Sequence, residues 1–338
     1  MKIAMLFPGQ GAQHVGMGQD LYEAFAAARA VFDRAEAISE LPLKKLCFEG
    51  PEDELSRTDV AQPAIFAHSA AVLASLASLV GPEKVKSLRP AYVAGLSLGE
   101  YSALFAANMI DFDSALRLVT LRGRAMQDAA AAKPSTMLAV MGLGEAKAKE
   151  LCDAAAQGEV LVCANFNAPG QIVLSGDIEA CKRAEAMAGD FGASGAVGLK
   201  VAGAFHSPFM APAAERLGKA LAEVTFTGPS GVNIAGPDAE ATPQLAQEFA
   251  HDGVEVVANV SAAPYGCPCA VSTGLLGQLT GSVRWAQSMR LLLDEGVETF
   301  YEVGPGKVLK GLMRRIERRA DVTSVNSRDA VEKLAEKL

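Results

Sequence analysis

No apolar run in this 338-residue chain approaches the roughly 18–20 positions a membrane-spanning helix needs, so a membrane protein is not expected. Nor does the chain open like an exported one. MKIAMLFPGQG has one lysine and a five-residue apolar run, too short for a secretory h-region and suited to a first buried strand. A soluble, cytoplasmic protein is the expectation. Basic residues are in deficit: 31 Lys and Arg stand against 39 Asp and Glu, a formal net charge of −8. Nucleic-acid binding relies on clustered cations that displace counterions, so that class is set aside. One local basic cluster does occur, at Lys307, Lys310, Arg314, Arg315, Arg318 and Arg319; it reads as a solvated helix face or as a patch for an acidic partner. Paired cysteine spacings are missing too. Cys47, Cys152, Cys163 and Cys181 stand alone, and Cys267-Pro-Cys269 is a single C-x-C with no second pair nearby. Free thiols, many of them buried, are expected, and no metal site. Two glycine-rich stretches lack what nucleotide loops require. Gly9-Gln-Gly11 has no third glycine, and Gly304-Pro-Gly306-Lys307 lacks both the leading spacing and the Ser/Thr of a phosphate loop.

What is present is core. Half the residues are hydrophobic and 21% are charged, which suits one large domain or a large one with a small one. The first part alternates strands and helices in the manner of an α/β sheet packed between helices. Strand 3–7 leads to a Gly-rich loop and helix 17–38; an Ala-rich helix spans 62–80; strand 91–95 turns into helix 98–108. Asp111 or Asp113 then caps helix 113–129. From TMLAVMGL to AVGLKV the order becomes βαββαβ, with helices at 144–157 and 177–192, which is the ferredoxin-like pattern. A small unit, 133–201, is therefore read as inserted into a large one made of 1–132 and 202–338. The large unit resumes with helix 209–223, strand 254–260, helix 284–295, strand TFYEV and a closing helix. Residues 228–253, rich in Gly, Pro, Ala and acid, read as a surface excursion.

Gly95-Leu96-Ser97-Leu98-Gly99 matches G-x-S-x-G with a strand before it and a helix after it. Ser97 is then a nucleophile on a tight turn, with the Leu98 amide aimed at a developing oxyanion; the plainer alternative is a serine that caps a helix. A serine nucleophile needs a base, and the chain has four histidines. His68 lies in an apolar helix, His251 in the acidic excursion, and His14 after the Gly-rich loop. His206, between an apolar run and Ser207-Pro208, sits at a strand-to-turn junction and is the remaining choice, against a turn-stabilising role. Arg122 shares an apolar helix face with Leu118 and Met126. A buried guanidinium needs a carboxylate, either an internal Asp or Glu or the acid group of a substrate, and the sequence leaves both open.

FPGQGAQ (7–13), GLSLGEYSAL (95–104), LRGRAMQ (121–127), NFNAPGQIVLSG (165–176), GAFHSPFM (203–210) and YEVGPGKVL (301–309) together resemble the malonyl-CoA:acyl carrier protein transacylases, from Phe7 to about Arg318. The resemblance implies a large α/β-hydrolase-like domain with a ferredoxin-like subdomain. It implies a malonyl ester on Ser97, His206 as base, and Arg122 paired with the malonyl carboxylate. It further implies an oxyanion hole from the backbone amides of Gln10 and Leu98, and Phe205 and Met126 beside the substrate. The base would be oriented by a main-chain carbonyl near Asn259. Malonyl-CoA and holo acyl carrier protein would be the substrates, with no cofactor and no metal, and the chain would act as a monomer. Leu96 departs from the histidine usual before the family's serine, and Gly281-Ser282 from the residues usual before Val-Arg-Trp. Two other classes remain to be weighed: an acyl hydrolase, including one that edits carrier proteins, and a carrier-binding scaffold without catalysis.

Overall fold

A computed structural model describes residues 2–81, 84, 88, 90–228 and 253–338. His251 and nearly all of the 228–253 excursion lie outside these residues. Ten strands form two sheets: β1 (Lys2–Phe7), β2 (Tyr92–Gly95), β3 (Ser135–Met141), β4 (Leu161–Ala168), β5 (Gln171–Asp177), β6 (Gly195–Gly198), β7 (Glu255–Ala258), β8 (Ala263–Pro264), β9 (Val297–Val303) and β10 (Asp321–Val325). The larger sheet runs β10-β9-β1-β2-β7-β8. Its pairings are parallel except for the short β7–β8 hairpin. β1 is apolar along most of its length because both its faces are covered. Met5, Phe7 and Val93 point into one core, and Ala4, Leu6 and Ala94 into the other, as a strand's two-residue period requires.

The smaller sheet, β4-β5-β3-β6, is antiparallel throughout, with helices Glu145–Ala156 and Ile178–Met187 completing the expected βαββαβ order. It has its own core around Leu138, Leu151 and Leu174.

The expected elements recur with shifted limits, and several differences have clear causes. The stretch read as helix 17–38 is broken at Phe25 into Gln19–Ala24 and Ala26–Ser39. The apolar helix begins earlier, at Thr58, and runs to Val80. By length and composition this helix could cross a membrane, contrary to the reading of the apolar runs. It is instead the central helix of the larger core, buried from Thr58 to Ala77 apart from Asp59. A helix at Cys269–Thr280 and strand β10 were not expected, and the one closing helix is two, Val308–Ile316 and Arg328–Ala335. Cys267 and Cys269 are bonded to each other, their Cα atoms 5.2 Å apart, which corrects the expectation of six free thiols. The bend entering helix Cys269–Thr280 brings the two side chains together.

Candidate active site

β2 runs straight into the G-x-S-x-G turn. A Cβ on Gly95 would lie 1.9 Å from the carbonyl carbon of Gly99, and one on Gly99 would lie 2.1 Å from the carbonyl oxygen of Phe7. Strand, turn and helix therefore meet with no room for any side chain at either position. Ser97 itself sits at φ +51°, in the left-handed region that a non-glycine residue occupies at a cost of about 1–2 kcal/mol. Asn259, just beyond β7, braces the turn: its Oδ1 accepts from the Ser97 amide at 2.7 Å and its Nδ2 donates to the Gly95 carbonyl at 2.7 Å. The loop after β1 lies against the same turn, since a Cβ on Gly9 would stand 2.3 Å from the Leu96 carbonyl oxygen. Among the described residues, the amide hydrogens of Gln10 and Leu98 have no acceptor. Two free backbone donors, one in the serine turn and one in the loop packed against it, suit an oxyanion that forms only during reaction.

His206 reaches this serine from the turn before Pro208. Its Nε2 is 2.9 Å from Ser97 Oγ and its Nδ1 2.7 Å from the main-chain oxygen of Gln278. A carbonyl only accepts, so the proton belongs on Nδ1 and the Nε2 lone pair faces the serine hydroxyl. Burial, and then the Arg122 guanidinium, pull the imidazole down to about 4, so it is a neutral base near pH 7.

Arg122 comes from helix Phe112–Ala132 and is almost fully buried. Nη1 donates to Gln62 Oε1 at 2.6 Å; Nη2 donates to Ser97 Oγ and to Gln278 Oε1, each at 2.9 Å. Its Nε has no partner, and no carboxylate among the described residues lies within ion-pair distance. The Tyr101 ring stacks 5.6 Å from the guanidinium carbon. A permanent cation held by neutral amides is left ready for an anion from outside the fold.

The residues match a model of the acyl transferase domain over positions 4–254. The chain is 38% identical over 332 residues to the malonyl CoA-acyl carrier protein transacylase of Bacillus subtilis, covering 98% of this chain and 95% of that one. This chain belongs to the malonyl-CoA:acyl carrier protein transacylase family. The solved transacylase of Xanthomonas oryzae superimposes with a TM-score of 0.86 at 35% identity, covering 99% of this chain and 98% of the other. Another solved structure, a type II PKS acyl-carrier protein in complex with its malonyl-transacylase, matches with a TM-score of 0.86 at 34% identity over all of both chains.

Of the residues the transacylase resemblance implies, Ser97, His206 and Arg122 are joined by hydrogen bonds, Leu98 follows the serine in the turn, and Gln10 lies in the loop packed against that turn. Met126 is buried one turn beyond Arg122, its sulfur 3.4 Å from Gln62 Nε2, so it packs against the amide that holds the guanidinium. Phe205 is buried beside the base, its carbonyl taking a 2.6 Å bond from Ser175 Oγ. Asn259 requires correction: it supports the serine turn, and the carbonyl that orients His206 belongs to Gln278. Gln278 lies in the last turn of helix Cys269–Thr280, where main-chain oxygens have no intrahelical donor and remain free for other partners. Gln62 and Gln278 escaped the sequence reading. The available signal was a lone amide in each of two apolar helices, DVAQPAIF and LLGQLT. His68 is a buried core histidine, as its apolar helix implies, and His14 lies exposed in the loop after β1.

Proposed function

We propose that this chain transfers the malonyl group from malonyl-CoA to the phosphopantetheine thiol of holo acyl carrier protein through a malonyl ester on Ser97. The observation that carries this reading is the buried Arg122, unpaired with any carboxylate among the described residues and bonded to the Ser97 hydroxyl. A malonyl carboxylate would take its free N–H groups and place the thioester carbon next to Ser97 Oγ. The oxygen attacks that carbon while its proton passes to His206 Nε2. The Gln10 and Leu98 amides hold the oxyanion, and collapse expels CoA thiolate, which takes the proton from the imidazolium. In the second half the carrier thiol gives its proton to His206 and attacks the ester, and Ser97 leaves with that proton restored. Phe205 and Met126 bound the acyl pocket. No cofactor has a role in this scheme. Among the described residues no cluster of three His, Cys, Asp or Glu side chains could hold a metal ion. Every group in the scheme comes from one chain, so the scheme needs no second copy, and we read the protein as a monomer acting in the cytoplasm.

The large unit, 1–132 with 202–338, is read as α/β-hydrolase-like and 133–201 as an inserted ferredoxin-like subdomain. The parallel β10-β9-β1-β2-β7 sheet and the separate antiparallel sheet with its own core support that division.

Labelled malonyl-CoA should leave label on Ser97, none on Ser97→Ala, and pass it to added holo carrier protein. Label lost only to water would instead mark an acyl hydrolase. Arg122→Ala should reduce malonyl transfer by on the order of 100-fold, the worth of a buried charged hydrogen bond, and acetyl transfer far less. An equal fall in both would remove Arg122 from this role. The neighbour bound to a type II PKS acyl-carrier protein makes a polyketide-type carrier the second acceptor to assay.

A further inference from the structure

Glu100 lies three residues after the nucleophile, is completely buried, and touches no atom that reacts. An apolar interior penalises a carboxyl group unless its oxygens are bonded. Here they accept from three separate elements: Tyr265 Oη on one oxygen, and on the other Gln278 Nε2 at 2.5 Å and the Asn259 amide at 3.3 Å. Asn259 is the brace of the serine turn. Gln278 is the more telling partner, because it meets every functional side chain or its neighbour. Its Nε2 also donates to the Ser97 carbonyl at 2.9 Å, its Oε1 accepts from Arg122, and its main-chain oxygen holds His206.

The amide of Gln278 has one workable orientation. With Glu100 and the Ser97 carbonyl as acceptors on one side, Nε2 must face them, leaving Oε1 for Arg122. Turned over, its N–H groups would oppose those of Arg122, and its oxygen would oppose a carboxyl group and a carbonyl. Arg122, the Ser97 carbonyl and Glu100 impose this choice together, and Glu100 is the one of the three whose part in the site is confined to it.

We propose that Glu100 is a positioning residue which, through Gln278, sets the base His206 and the cation Arg122 in register with Ser97. The idea rests on the roles given above to those three residues. Acylation geometry is sensitive to displacements near 1 Å, which cost on the order of 100-fold, so a loosened Gln278 should be read directly in the rate of malonyl-enzyme formation.

The test compares Glu100→Met, which keeps volume but no hydrogen bond, with Glu100→Gln. The glutamine's oxygen still accepts from Gln278 and Asn259, and its amide donates to the Tyr265 oxygen. Rapid-quench acylation with labelled malonyl-CoA should slow by on the order of 100-fold in E100M, with KM within a few-fold because Gln62 still holds Arg122. E100Q should remain within a few-fold of the parent. The acid limb of kcat/KM should also move to lower pH in E100M, because the Gln278 carbonyl raises the His206 pKa and would be displaced. Loss of folded protein lowers the amplitude and leaves the limb in place. Gln278→Met retains the main-chain oxygen but removes the Arg122 and Ser97 contacts together with the link, so it should lose at least as much as E100M, with no further loss in the double variant. It keeps the proposal open to refutation even if E100M fails to fold. Parent-like acylation in Q278M, equal losses in E100M and E100Q, or additive losses in the double would each overturn the proposal. Failure of the transferase reading would look different: the parent itself would carry no label on Ser97.

Discussion

A guanidinium and a carboxyl group are both buried within reach of Ser97, yet they do not pair. Gln278 stands between them, offering Oε1 to Arg122 and Nε2 to Glu100. Had Glu100 met Arg122 directly, an entering carboxylate would have to displace it; a neutral amide presents no such competitor. The arrangement gives stability an unusual pH dependence. Burial pushes the Glu100 carboxyl up from 4.5 to about 7, with the Tyr265 and Gln278 hydrogen bonds only partly opposing it. Its contribution to stability is thus fully present below pH 4.5 and lost as pH rises through 7. His206 runs the other way: drawn down from 6.5 to about 4, its contribution is present above pH 6.5 and lost as pH falls to 4. Glu100→Gln removes the first dependence and leaves the second. The variant should therefore gain on the parent as pH rises between 4.5 and 7, by about 3 kcal/mol in all. Urea unfolding at pH 5 and pH 8 measures the gain, and a gap that stays constant would contradict it.

At the level of elements, the β2–turn–helix unit depends on two missing side chains. Gly95→Ala would push a methyl group into the Gly99 backbone, and backbone cannot rotate aside. The cost should reach about 3 kcal/mol, the upper range for an overpacked core, with acylation of Ser97 falling as well. A variant with parent-like melting and acylation would show that the turn is looser than described. That turn was legible in the sequence because its constraint is local: glycine, serine and glycine at fixed spacing between strand and helix. His206 and Arg122 were legible in part. Each was anomalous where it stood, but whether Arg122 served the fold or a substrate needed distances. Gln278 was not legible at all. Its decisive atom is a main-chain oxygen, which any residue type supplies, and its helix, CAVSTGLLGQLT, has neither a polar face nor a capping signal. Helix Thr58–Val80 was seen short for a related reason. It is buried on nearly every side, so no polar stripe marks its beginning.

Across the whole molecule, the small sheet clamps the loop that carries His206. Ser135 Oγ on β3 accepts from the Ala204 amide at 3.0 Å, and Ser175 Oγ on β5 donates to the Phe205 carbonyl. Past Gln278, Val283 exchanges main-chain bonds with Ala164 and Phe166 of β4, at 2.8 and 2.9 Å. Both supports of His206, its own loop and the helix that orients it, are therefore anchored to the second sheet. Ser175→Ala would leave the buried Phe205 carbonyl without its donor, costing about 1–3 kcal/mol and slowing acylation. Calorimetry and rapid-quench labelling together check this; lost stability with unchanged acylation would show that the clamp does not reach the base.

Ser97 and His206 share one further property: both hold positive φ, at +51° and +55°. Non-glycine residues rarely hold that region, though histidine does so more readily than serine, and the two are far apart in the chain, so each strain is relieved by its own substitution. Improvement of this protein for heat tolerance alone would therefore drift toward glycine at the two positions on which the proposed chemistry depends. Selection for survival and selection for turnover pull in opposite directions there, and only an assay that scores both would keep the dyad.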